Sequence, residues 1–173
     1  MDQVNALADR GKQEYEGGNY LAAADLFFQA AREYSSSQDD LHAAEMLNNQ
    51  SVALLQAGKA KEALQATEGT EAVFERAGDR KRQGIAISNR AAALEGLRRW
   101  NEALTEYDRA ATLFEEAGEG DMHSIVRKAA ANINLKRGRI TDSQMDVFDS
   151  LRLVEKPTLM QRFLKFLVRI GFR

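Results

Sequence analysis

Small and large side chains recur along this chain at one fixed interval. Gly11, Ser51, Ala91 and Ala131 are each 40 residues apart. Ala23, Ala63, Ala103 and Ser143 keep the same step, as do Ala30, Thr70, Ala110 and Ser150. A series of larger residues, Tyr34, Phe74, Phe114 and Val154, stays in phase with them. Registers that hold together in this way mark a repeat whose units stack, because one helical pair cannot bury its apolar face alone. Within a unit the spacing is helical. Ile87, Ala91 and Leu94 share one stripe, and Ala103, Tyr107, Ala110 and Phe114 share another. The small residues let facing backbones approach. The large ones fill the groove between one unit and the next. Residues 78–117 show the unit most clearly, as two helices joined by a short turn.

Turn chemistry agrees with this division. Gly18, Gly58 and Gly138 stand between the two helices of a pair, and Arg98 takes that place in the third pair, just before Trp100. Trp100 is expected to pack between helices, as Tyr20 is. The links between pairs are polar: SSSQDD, AGDR and AGEGD. Asp79 and Asp121 are the expected N-caps, and the glycines before them suit helix C-termini. The predicted fold is all-α, with four helix pairs over about 4–42, 43–82, 83–122 and 123–156. The fourth pair departs most. Arg127 stands where Leu7, Leu47 and Ile87 stand, and Asn134 replaces Leu94. Its packing on the third pair is therefore the least determined by the repeat pattern.

The final stretch, 157–173, has a different character. After Pro157 it is apolar, aromatic and basic, with no acidic residue. Arg162, Lys165, Arg169 and Arg173 are spaced 3, 4 and 4 apart. They fall within an arc of roughly 80° on a helix. Met160, Phe163, Leu164, Leu167, Val168 and Ile170 cover the opposite side. The pattern predicts an amphipathic helix of about 15 residues, roughly 22 Å long. A helix this apolar must dock somewhere. Three destinations remain open: it caps the last repeat, lies on an anionic membrane surface, or enters the groove of a second copy. For a membrane or docking role the residues are Arg162, Phe163, Lys165, Phe166, Leu167, Arg169 and Ile170.

Composition narrows the function classes. At 173 residues one domain is the natural expectation, and 44% hydrophobic with 29% charged residues is ordinary for a globular chain. A formal charge of −2 gives no general attraction to nucleic acid. With no cysteine there are no disulfides, zinc-thiolate sites or thiol nucleophiles. The opening MDQVNALADRGK has no apolar core of a secretory signal, and no apolar run reaches the ~20 residues that span a membrane. A cytoplasmic protein is expected, with membrane association as the alternative.

Together the repeat motifs resemble the tetratricopeptide repeat (TPR) family. The pattern reads Leu7, Gly11, Gly18, Tyr20, Ala23, Phe27, Ala30 in the first unit. It reads Ile87, Ala91, Leu94, Trp100, Ala103, Tyr107, Ala110 in the third. The likeness spans about residues 4–156, and the longer unit resembles the extended repeats of Pins-type polarity adaptors and many bacterial relatives. It implies a right-handed α-solenoid whose first helices line a concave face.

Catalytic chemistry has little support. His42 and His123 lie in linker regions and are expected at the surface. Carboxylates such as Glu115, Glu116 and Glu119 follow solvated helix faces. No phosphate-binding loop, nucleophile elbow or HExxH motif is present. No enzyme activity, metal or cofactor is expected.

The concave face carries more. Asn49 and Asn89 occupy one repeat position, with Asn48 and Ser88 beside them. An amide both donates and accepts, so it pairs with peptide backbone without demanding one sequence. The family resemblance implies that role for Asn49 and Asn89. The alternative is that they tie neighbouring helices together. Lys12 and Asn49 also match two positions of the carboxylate clamp found in chaperone-type relatives, whereas Ala8, Ile85 and Asn89 do not. Val52, Leu55, Ile85, Ala92 and Ile125 suit an apolar or amphipathic ligand better than an acidic tail. The expected function is an adaptor that binds a protein or peptide partner. Its groove would be lined by Asn48, Asn49, Val52, Ile85, Ser88, Asn89 and Asn132. The alternative is a membrane-associated or self-assembling scaffold acting through residues 158–173.

Overall fold

Left-handed backbone divides the chain every 20 residues: Gly18, Gln38, Gly58, Gly78, Arg98, Gly118 and Gly138 all have φ between 58° and 79°. The computed structural model describes residues 2–138, together with residues 142, 145–147 and 149. Its helices are α1 (Asp2–Glu16), α2 (Tyr20–Ser36), α3 (Asp40–Gln56), α4 (Ala60–Ala66), α5 (Thr70–Arg76), α6 (Arg80–Gly96), α7 (Trp100–Glu116) and α8 (Gly120–Lys136). The 40-residue unit is thus two half-units, each typically a helix of 17 residues and a three-residue turn. No described helix is long and apolar enough to cross a membrane.

The six turns from Gly18 to Gly118 close in the same way. The residue after the left-handed one donates its N–H five residues back, from Asn19 to Glu14 at 2.8 Å and from Glu119 to Phe114 at 2.8 Å. The left-handed residue donates three residues back, as from Gly18 to Tyr15 at 3.0 Å. This pair of bonds satisfies carbonyls that the helix end leaves free. Asp39 and Asp79 cap the next helices by accepting from the N–H groups of His42 and Arg82, at 3.2 and 2.9 Å. Asp121 does not cap. With α8 starting at Gly120, it falls in the first turn, and Glu119 takes the cap position without a side-chain cap bond.

Helices pack in sequence: α1 on α2, α2 on α3, then α6 on α7 and α7 on α8. The small-residue series is the contact surface. Ala23, Ala63, Ala103, Ala30 and Ala110 are fully buried, and Thr70 is 1% exposed. Ser51 donates to the Ala63 carbonyl at 2.9 Å, bonding α3 directly to the backbone of α4. Two larger cores result, one around Phe27 and one around Phe114. Between them lies a small cluster of Ala44, Phe74 and Ala86.

That thin middle coincides with a break. The stretch 60–76, matching the unbroken α2 and α7, is split into α4 and α5. Gly69 has φ 76°, and Thr67 and Thr70 donate their hydroxyls to the carbonyls of Leu64 and Thr67. Hydroxyl-to-carbonyl bonds of this kind offer the backbone an alternative to the helix ladder. A ring of ion pairs secures the broken segment. Glu71 of α5 and Glu106 of α7 both bind Arg90 of α6, at 3.2 and 2.7 Å. Both also bind Arg109.

His123 is not at the surface as expected. It is fully buried, in register with buried Gln83 and Ala43, because α8 begins three residues before it, as α3 and α6 begin three residues before those two. Its Nε2 lies 3.6 Å from Asp149. The two polar departures of the fourth pair converge. Asn134 donates to Asp146 at 2.8 Å, and Arg127 stands 3.7 Å from the same carboxylate. Arg127 also pairs with Asp149 at 2.7 Å and with Asp108 of α7. Burial pushes the Asp146 carboxyl above its usual range, against the opposing pull of Asn134 and Arg127. Meanwhile Val126, Ala130 and Ile133 bury fully into the α7 core, so the third and fourth pairs share one apolar cluster. Trp100 is half-buried against that cluster, with the Lys136 ammonium 6.0 Å from its ring.

Candidate functional site

Successive turns of α3 carry Glu45, then Asn48 and Asn49, then Val52. Residues three and four apart on a helix are surface neighbours, so these four form one strip. On α6 the matching strip is Ile85, Ser88 and Asn89. Because α3 and α6 pack against each other, the two strips adjoin.

A hollow of about 450 Å³ lies where they meet, lined by Glu45, Asn48, Asn49, Phe74, Asp79, Lys81, Arg82 and Ile85. The structure thus brings Asn48, Asn49 and Ile85 together. A second hollow, about 210 Å³, is lined by Lys12, Tyr15, Glu16, Phe27, Asn49 and Val52. Asn49 borders both. Lys12 and Asn49, the two clamp-like residues, therefore share a hollow, and Lys12 also pairs with Asp9 at 3.5 Å. No cationic side chain stands at the buried Ala8, at Ile85 or at Asn89.

Three amides on these strips are uncommitted. Asn48 is 5% exposed, and its Oδ1 has no hydrogen-bond partner among the described residues. Asn49 and Asn89 are half-buried. Neither side chain enters the hydrogen bonds that tie described residues together, such as Ser51 to Ala63 or Tyr34 to Asn5. The reading in which they bind neighbouring helices finds no bond to support it. Ser88 differs: its hydroxyl donates to the Ile85 carbonyl at 2.9 Å, within its own helix. Asn132 is exposed on α8, away from both hollows, and Ile125 on the same helix is 59% exposed.

The charges around the larger hollow are mostly paired. Lys81 binds Glu119 at 2.8 Å, and Arg82 stands 3.5 Å from Asp79, which also caps its helix. Glu45 has no ion pair among the described residues. Sequence reasoning passed over it as one more solvated acid. The available signal was its place one turn before Asn48 and Asn49. The lining therefore offers two amides, one free carboxylate and the apolar surfaces of Phe74 and Ile85.

No protein-family model matches the chain, and a search of curated proteins finds no match either. The second candidate surface, Arg162, Phe163, Lys165, Phe166, Leu167, Arg169 and Ile170, lies outside the described residues.

Proposed function

We propose that this chain is a non-enzymatic interaction adaptor. It binds an extended or helical peptide of a partner protein along the strips of α3 and α6, with Asn132 of α8 at the far end. The helical repeat would be a right-handed, TPR-like solenoid, with α1, α3, α6 and α8 on its inner face. The uncommitted amides of Asn48, Asn49 and Asn89 carry this reading. A buried amide oxygen without a partner, such as that of Asn48, costs stability, since it gives up water and gains nothing in the folded chain. A bound peptide backbone supplies both the donor and the acceptor that such an amide lacks. Val52 and Ile85 beside them supply apolar anchors, and a preformed groove reduces the ordering cost of binding.

Selection from a displayed random-peptide library tests the proposal. Peptides that bind the wild-type chain should bind an Asn49→Ala/Asn89→Ala variant at least tenfold more weakly. The variant's melting temperature should stay unchanged. A sharp fall in melting temperature would instead make the two residues structural, and equal binding by the variant would sink the groove assignment.

A further inference from the structure

We propose that the hollow between α3 and the start of α6 seats a lysine or arginine side chain of the bound peptide. This rests on the groove reading above and adds a charge requirement to it. Glu45 and Asn48 are the groups that decide it.

Two cations, Lys81 and Arg82, and two acids, Glu45 and Asp79, line this hollow, and three of the four are already matched. Lys81 is held by Glu119 and Arg82 by Asp79. The remaining charge is the half-buried Glu45 carboxylate, which has no ion pair among the described residues. One turn along lies Asn48, 95% buried by its 5% exposure, with an oxygen that accepts from no described residue. Both unmet groups are acceptors. A ligand that satisfies them must donate, and a cationic head donates several times while also neutralising the carboxylate. An anionic side chain would meet Glu45 with like charge, and the neighbouring cations are not free to offset it.

The apolar walls suit the rest of such a side chain. Phe74, fully buried, and Ile85, half-buried, both line the hollow. Lysine and arginine carry apolar stems that lie along such surface while the charged head reaches a polar partner. At about 450 Å³ the space exceeds one side chain, which leaves room for the peptide backbone to pass Asn49 at the border with the second hollow.

The test uses the full chain, ¹⁵N-labelled, titrated with Nα-acetyl-arginine amide, Nα-acetyl-lysine amide and the neutral isostere Nα-acetyl-citrulline amide. The two cationic probes should shift the resonances of Glu45, Asn48, Asn49 and Ile85 with millimolar affinity. Citrulline should bind roughly tenfold more weakly or not at all, as expected for loss of a charge-assisted contact. Glu45→Gln, which keeps the side-chain shape, should weaken the cationic probes by about the same factor at unchanged melting temperature. Equal binding of citrulline, or unaltered binding by Glu45→Gln, would overturn the inference. The groove reading is separable. A peptide selected on the groove that lacks basic residues and binds Glu45→Gln as well as wild type refutes the charge requirement and leaves the groove standing. Failure to select any peptide removes both.

Discussion

Asn134 donates its side-chain amide to the carboxylate of Asp146 at 2.8 Å, so a polar residue at a position that is leucine in the second and third pairs has a partner of its own. In the third pair that position is Leu94, which packs into the apolar core. The two polar departures of α8, Arg127 and Asn134, belong together because both address Asp146. Replacing Asn134 by the repeat-typical leucine should therefore destabilise the chain by roughly 1–3 kcal/mol, since it strips a half-buried carboxylate of its donor. Adding Asp146→Leu should recover most of that loss. Urea unfolding of both single variants and the double variant measures the coupling. Additive effects would show that the two residues do not act as a pair.

Arg98 occupies a left-handed turn position, φ 58°, where three equivalent turns have glycine. Left-handed backbone costs a residue with a Cβ about 1–2 kcal/mol, and glycine nothing comparable. Arg98→Gly should raise the urea midpoint without changing the slope of the transition. Gln38→Gly should do the same, because Gln38 has φ 62° at the same place in its half-unit. A lowered midpoint in both would contradict the strain assigned to these turns.

Gly84 behaves in the opposite sense to an ordinary helical glycine. Exchanging glycine for alanine inside a helix usually stabilises by about 1 kcal/mol. Here a Cβ would stand 2.8 Å from Cε1 of Phe114, a ring only 1% exposed. Gly84→Ala should destabilise by roughly 1–3 kcal/mol through overpacking. Trimming the ring in a Gly84→Ala/Phe114→Leu double variant should restore part of the loss. Thermal unfolding followed by circular dichroism reads both.

Asp39 ties the cap of α3 to pH. The backbone N–H of His42 is the main cause that holds its carboxyl below the ordinary value of 3.8, with further help from the His42 ring at 2.7 Å. A carboxyl depressed in the folded state adds stability above its unfolded pKa and loses it as pH falls through the folded value. Asp39→Ala should therefore cost about 1 kcal/mol at neutral pH. The gap to wild type should narrow once pH drops below 3.8. Asp39→Asn, which caps without titrating, should keep a constant stability difference from Asp39→Ala over the same pH range, because neither variant carries the titrating carboxyl. A gap independent of pH in Asp39→Ala would contradict the assignment.

The 40-residue register was readable because it is written in side-chain volume. Ala23, Ala63 and Ala103 must be small wherever two backbones meet, whatever surrounds them. The finer 20-residue period was harder to see, because Gln38 and Arg98 hold turn positions that elsewhere show glycine. The break between α4 and α5 had a signal in Thr67, Gly69 and Thr70, but the stacking pattern runs through it without losing phase. His123 was misread because a lone histidine near a helix start resembles a surface residue. Only the exact start of α8 shows which way it turns. Of the proposed groove, Asn48, Asn49, Val52 and Ile85 can be named from repeat position alone. Glu45 was not, since a free carboxylate is recognisable only once its neighbours' partners are known.

The most direct measurement of the central proposal is the affinity of one display-selected peptide for the wild-type chain and for Asn49→Ala/Asn89→Ala, by fluorescence polarisation, beside the melting temperature of each. The proposed groove predicts binding at least tenfold weaker in the variant, with the two melting temperatures the same. Equal affinity, or a variant that melts well below wild type, would contradict it.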